Sequence, residues 1–180
     1  MQFDDTVRSR RSIRRFEDRD VPDSIITEIL DLARHAPSSM NGQPWHFVVI
    51  RSPETRWRLA ELKNRFCPPD KRAFRADFVA RAPVVVVVCI EEALAHDRGL
   101  ESGIIATTHL LLAARDRGLG AVYMSAYAAD EPELAPAIAG LLHLPAGVKP
   151  VTVIPMGYPA EAPAAKDMRA LDRMVHRERF

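Results

Sequence analysis

Residues 83–90, Pro-Val-Val-Val-Val-Val-Cys-Ile, run without a single polar side chain. Branching at Cβ stiffens valine and suits it to extended backbone. A strand also sends successive side chains to opposite faces of its sheet, so a run this uniform requires both faces to be covered. Its eight residues fall far short of the ~20 needed to span a bilayer. The chain must therefore build a sheet around this run, with helices packed on either side.

Segments 46–50, 121–125 and 148–154 read as the other strands. Between them, Ile25, Ile26, Ile29, Leu30 and Ala33 recur at three- and four-residue spacing, the buried stripe of a helix near 23–35. Ser52-Pro53-Glu54 is a helix start, with serine as N-cap, proline at the first position and an acid in the first turn. Asp130-Glu131-Pro132-Glu133 opens another, with Leu134, Ile138, Leu141 and Leu142 facing inward. Segment 100–117 differs. Ile104, Ile105, Leu110, Leu111, Leu112, Ala113 and Ala114 make it apolar nearly all round, so it belongs in a core or against another subunit. Gly118 ends it as a left-handed cap. Mixed helices and strands without regular βαβ alternation predict an α+β fold. The 180 residues make one domain, 1–180, without internal repeats. The Pro/Ala-rich stretch 159–165 reads as the base of a C-terminal arm, 166–180, that can wrap a partner.

The 25 basic and 24 acidic residues nearly cancel, which leaves no field that would argue for nucleic acid or a membrane surface. Cys67 and Cys89 form no CxxC and no secreted framework, and the acidic N-terminus carries no apolar signal core, so a reducing cytoplasm is expected. Cys89 ends the valine run and reads as a buried small hydrophobe. The histidines show no metal-ligand spacing, so no metal is expected. Gly118-x-Gly120 lacks the third glycine of a dinucleotide fingerprint, and no serine sits in a nucleophile elbow.

Two stretches concentrate polar chemistry. Arg10-Arg11-Ser12-Ile13-Arg14-Arg15 packs guanidinium forks that match phosphate oxygens bidentately. The other reading of that run is a solvated basic helix end. Ala36-Pro37-Ser38-Ser39-Met40-Asn41-Gly42-Gln43-Pro44-Trp45 sets hydroxyls, amides and prolines between a helix and a strand, the makeup of a rigid loop beside a polar pocket. Trp45 reads as packing and His46 as a structural histidine at the start of a strand. The 63–81 run, where Lys71, Arg72, Arg75 and Arg81 interleave with Phe66, Phe74 and Phe78, reads as an amphipathic helix with a solvated face. Its sharper alternative is a lid that meets a bound phosphate.

Together the two stretches resemble the FMN-dependent nitroreductase family, and the likeness extends from Arg8 to Phe180. The resemblance implies a nitroreductase-like fold with a mostly antiparallel sheet, an intertwined homodimer, FMN as cofactor and NAD(P)H as co-substrate. It implies a ping-pong cycle in which a small-molecule electron acceptor, nitroaromatic or quinone-like, is reduced in the second half. By the same resemblance, Arg10, Arg11 and Ser12 hold the FMN phosphate and ribityl chain, and Arg14 sits by N1 and O2 of the ring. Pro37, Ser38, Ser39 and Asn41 reach the flavin bound mainly by the other subunit. The backbone N–H groups of Ser125 and Ala126, after Gly118-Leu119-Gly120-Ala121-Val122-Tyr123-Met124, face N5 and O4. The family's closing Gly157-Tyr158-Pro159 turn is present, but its tail arginine position falls on Met168. Arg169, then Lys166, are the candidates for the last phosphate ligand. Where relatives often carry Asp-x-Gly-x-x-x-Gln-Asn, this chain has Glu101-Ser102-Gly103-Ile104-Ile105-Ala106-Thr107-Thr108, so that helix must satisfy its polar groups differently. Backbone amides suffice at N5, so no side chain is assigned as catalytic. Two alternatives stay open: another FMN reaction on this fold (dehalogenation, flavin fragmentation or dehydrogenation), or a non-catalytic FMN storage or sensing protein.

Overall fold

In the computed structural model, which describes residues 2–67 and 75–180, the valine run becomes a central strand. The helices are α1 (Phe3–Ser9), α2 (Asp23–Ala33), α3 (Pro53–Arg65), α4 (Phe78–Arg81), α5 (Gly99–Asp116) and α6 (Leu134–Leu141). The strands are β1 (Trp45–Ile50), β2 (Val84–Glu91), β3 (Gly120–Ala121), β4 (Met124–Ser125) and β5 (Val148–Gly157). The sheet runs in the order β1-β2-β5-β3, with β4 also on β5, and every pairing is antiparallel. This is the α+β architecture the sequence predicts.

Alternate residues of β2 enter two different cores. Val84, Val86 and Val88 pack with Ile26 and Ile29 of α2 and with Leu110 and Ala114 of α5. Val85, Val87 and Cys89 pack with Leu59 of α3, Val79 of α4 and Leu134 and Ile138 of α6. Each fully buried aliphatic side chain contributes about 1.5–3 kcal/mol over an exposed one. Burial pushes the Cys89 thiol up to about 12, which makes it the inert hydrophobe expected from its position.

Ser52 caps α3 by accepting the N–H of Thr55 at 3.4 Å, with Pro53 at the first helical position. α5 ends in a Schellman motif. Gly118 takes φ +78°, its N–H reaches the Arg115 carbonyl, and the Leu119 N–H reaches that of Ala114. Inside α5, Thr107 donates to the Gly103 carbonyl at 2.8 Å, which leaves Thr152 of β5 as the donor in the 2.8 Å bond between the two hydroxyls. That buried pair is how this helix satisfies its polar groups against the sheet.

Three expectations need correction. Segment 121–125 is not one strand, because Val122 donates to the Pro155 carbonyl while Pro155 has no N–H to return. The ladder therefore breaks between β3 and β4. α6 begins at Leu134 rather than near Asp130, since the Leu134 N–H bonds back three residues to Glu131 in a tight turn. The helix expected over 63–81 ends, as α3, at Arg65. Lys71, Arg72 and Phe74 lie outside the described residues, and Phe78–Arg81 is a separate short helix. No helix among the described residues is long and apolar enough to cross a membrane.

Candidate functional site

The arginine segment leaves α1 in extended conformation and is held on both sides. The Ile13 N–H donates to the Ala121 carbonyl at 3.1 Å, and Ser12 bridges Ala121 in parallel. Further along, Phe16 bridges Pro159, the Glu17 N–H reaches the Tyr158 carbonyl, and the Ala160 N–H reaches that of Arg15. Buried Ile13 packs so closely on Gly120 that a Cβ there would lie 2.7 Å from its side chain. Glycine is thus required at 120 for the arginine segment to lie on the sheet edge.

Arg10 and Arg11 line a cavity of about 360 Å³ with Ser9, Arg115, Gly120 and Glu161. Arg11 donates through Nε to the Ala164 carbonyl at 3.2 Å, while its buried Nη1 has no hydrogen-bond partner among the described residues. Arg115, from the last turn of α5, donates to the Ser9 hydroxyl at 2.9 Å. Lys166 comes close enough that burial and then the charges of Arg10 and Arg11 lower its pKa. Lys166, the second candidate, thus lies near this cluster, and Arg169 is exposed. A pocket with several guanidinium donors, one of them buried and unmatched, suits a phosphate monoester.

Arg14 lies elsewhere, its guanidinium 5.9 Å from the ring centre of Phe78, on the α3 side of the sheet. Its backbone N–H is taken by Glu161. Near it, β4 carries Ser125, whose carbonyl accepts the Lys63 ammonium at 2.7 Å. The Ala126 N–H, expected to face the flavin, is instead committed to the Val151 carbonyl at 2.9 Å, because β4 pairs with β5 there. Burial lowers the Lys63 pKa, with Cys67 acting the other way, so this lysine is not on a solvated face. Beside it a cavity of about 460 Å³ is lined by Phe66, Tyr123, Ser125 and Tyr127.

The Pro37–Asn41 loop is rigid, as its composition predicts. Ser38 Oγ accepts the Gln43 N–H at 3.0 Å, Met40 and Asn41 hold φ near +50° and +55°, and a Cβ on Gly42 would strike the Leu94 carbonyl at 2.1 Å. Yet it lies at the Trp45–Ile90 end of the sheet, whereas the arginine cavity lies at the Gly120–Gly157 end. From Val84 to Ile90 the strand rise alone amounts to about 20 Å. Within one chain the loop and the arginines are therefore apart. Trp45 is packed against Ala36 and Ala106, and His46 meets Glu91 at 3.2 Å on the surface. Among the described residues no group of three His, Cys, Asp or Glu could hold a metal ion.

Glu161 and Arg115 line the arginine cavity and Lys63 the cavity beside Ser125, none of them assigned by sequence reasoning. Glu161 stood two residues past the recognised Gly-Tyr-Pro turn, the nearest thing to a signal. Arg115 and Lys63 looked like ordinary helix cations.

The model of the Nitroreductase family matches residues 7–158. A protein of Methanothermobacter thermautotrophicus, provisionally named an NADH dehydrogenase/NAD(P)H nitroreductase, is 36% identical over 98% of this chain and 86% of its own length. The solved FMN-dependent nitroreductase of Clostridium difficile superposes with a TM-score of 0.84 at 25% identity, covering 97% of this chain and 98% of that one. The iodotyrosine deiodinase of Thermotoga neapolitana is 26% identical over 86% of this chain and 87% of its own. With the antiparallel sheet, the flanking helices and the arginine-lined edge already in place, these matches make the chain a member of the nitroreductase family.

Proposed function

We propose that this protein is an FMN-dependent NAD(P)H oxidoreductase that reduces small nitroaromatic or quinone-like acceptors. The observation that carries the reading is the arginine cavity, where Arg11 Nη1 is buried without a partner among the described residues. FMN, when bound, would supply the hydride chemistry that links NAD(P)H to the acceptor. The chain's residues bind and orient. Arg10, Arg11 and Ser12, with Lys166, hold the phosphate end; Arg14 places a cation where negative charge develops at N1 and O2. Of the two amides expected at the ring, that of Ser125 would be the one left to meet it, since the Ala126 N–H is held by Val151.

Pro37, Ser38, Ser39 and Asn41 complete the site from a second copy of the chain. Support for that homodimer is the distance between loop and arginines within one subunit, together with apolar surface left exposed. Leu100 and Ile105 on α5, Phe3 and Val7 on α1, and Leu171 and Phe180 on the arm all face outward. Two cysteines without a disulfide fit a reducing cytoplasm.

The test is to purify the protein, identify the chromophore released on denaturation, and mix the loaded protein with NADH and NADPH in the absence of oxygen. FMN released intact, and bleaching of its absorbance by either nicotinamide, is the expected result. A protein that cannot be reconstituted with FMN overturns the reading. Bound FMN that neither nicotinamide reduces leaves a storage or sensing role. A second reading, reductive dehalogenation on the same cofactor, draws on the likeness to iodotyrosine deiodinase. Turnover of iodotyrosine but not of nitroaromatics selects it.

A further inference from the structure

α5 ends where the arginine segment begins. Arg115, in the last turn of α5, donates from Nε to the hydroxyl of Ser9 at 2.9 Å, and Ser9 closes α1 immediately before Arg10. A cation is favoured at that end of a helix, where the last carbonyls point outward. The bond ties the side chain to the wall of the cavity that Arg10 and Arg11 line, beside apolar Leu111 and Leu119.

The two acids beside these arginines are committed elsewhere. Glu161 holds the Arg14 and Arg15 amides and faces the Arg15 guanidinium, while Asp116, next along α5, pairs with Arg117. Among the described residues Arg10, Arg11 and Arg115 make no ion pair, and Arg115 makes no hydrogen bond beyond the one to Ser9. Three guanidiniums thus share one cavity with no carboxylate set against them. Like charges at the wall of a partly desolvated pocket repel, and a neutral donor would hold Ser9 without that cost. A phosphate monoester brings about two negative charges and three acceptor oxygens, which suits several forks at once.

We propose that Arg115 is a phosphate-binding residue of this cavity, held in place by Ser9 and meeting the anion alongside Arg10 and Arg11. The proposal deepens the FMN reading and rests on it for the molecule that carries the phosphate. Arg11 also donates to the Ala164 carbonyl, so a phosphate shared by Arg11 and Arg115 links the end of α5 to the base of the C-terminal arm.

The test compares wild type, Arg115→Gln and Arg115→Lys by three measurements. These are affinity for FMN, affinity for riboflavin, and the thermal-midpoint shift on adding inorganic phosphate at an ionic strength held constant with chloride. Arg115→Gln is expected to lose roughly ten- to a hundredfold in FMN affinity, the scale of one charge-assisted bond, with riboflavin unaffected and the phosphate shift reduced. Arg115→Lys, which keeps the charge, recovers part of both. Unchanged FMN affinity in Arg115→Gln overturns the proposal. So does an equal loss for FMN and riboflavin, which makes Arg115 a pin between α5 and α1 and nothing more. Should Arg115→Gln not fold, Arg115→Lys is read the same way: a loss for FMN alone supports the proposal, and an equal loss or none overturns it. Wild-type protein that takes up no FMN overturns the functional reading instead, and the phosphate shift then decides Arg115 by itself.

Discussion

The carboxylate of Glu161 accepts the backbone N–H of Arg14 at 2.5 Å and that of Arg15 at 3.0 Å. A single acid thus seizes two adjacent amides of the arginine segment, 147 residues away from Arg14 in sequence. It lines the cavity of Arg10 and Arg11, yet its Oε1 accepts both backbone N–H groups and its Oε2 faces the Arg15 guanidinium at 3.5 Å, so it pairs with neither of those two arginines. Burial acts to raise its pKa, but the Arg14 and Arg15 amides and guanidinium charges outweigh it, and the net result lies below the ordinary carboxylate value.

Glu161→Gln should therefore weaken FMN binding without touching the phosphate. The amide oxygen can still accept both backbone bonds, but the bonds lose their charge and an NH₂ donor replaces the oxygen that faces the Arg15 guanidinium. The expected loss is about 1–3 kcal/mol. The sign with pH follows from a depressed folded pKa. The stabilisation is complete above the unfolded carboxylate value near ~4.3 and is lost as pH falls through the lower folded value. Thermal unfolding between neutral and acidic pH should show wild type losing its advantage over Glu161→Gln only on the acid side. An advantage that persists unchanged into acid removes Glu161 from this role.

Arg11→Ala should cost about 1.5–3 kcal/mol of FMN affinity, roughly ten- to a hundredfold, because it removes a charge-assisted phosphate contact. Riboflavin, which lacks the phosphate, should bind wild type and variant alike. Equal losses for both ligands would place Arg11 in the scaffold rather than at the phosphate.

The β2 core was legible because five valines admit only one environment, and the split into two cores follows from strand alternation alone. The loop's turn was legible from Pro37 and Ser38, whose short side chains act on nearby backbone, whereas the need for glycine at 42 comes from the distant Leu94 carbonyl. What stayed hidden depends on contacts distant in sequence. Nothing local marks Lys63 as the partner of Ser125, since lysine in the last turn of a helix is common on solvated surfaces. The break in 121–125 was equally invisible, because its cause, Pro155, lies on the partner strand.

Gly120→Ala should destabilise the protein and loosen the cofactor together. The added methyl meets Ile13 at 2.7 Å, so either β3 or the arginine segment must move. Overpacking of this kind costs about 1–3 kcal/mol. Adding Ile13→Ala, which removes the two Cγ atoms the methyl would meet, should recover part of the loss, as measured by urea unfolding and by FMN titration. No recovery would mean that backbone freedom, and not the contact with Ile13, fixes the glycine.

Ile105→Arg in the full chain should break the dimer and lower FMN occupancy together. Ile105 is 36% exposed on α5 and Leu100 is 42% exposed, an apolar face that an isolated subunit leaves in water. Twofold symmetry would place the substitution on both sides of the interface, so its effect enters twice. The arm 166–180 is exposed throughout and carries Met168, Leu171, Val175 and Phe180 into solvent. Truncation at 165 should act in the same direction, and should also remove Lys166 from the arginine cluster. Sedimentation of both variants at micromolar concentration, with flavin absorbance read across the boundary, is the measurement. Because loop and arginines stand about 20 Å apart along β2 in one subunit, a monomer cannot close the proposed site. A stable monomer that keeps its FMN would refute the shared-site architecture.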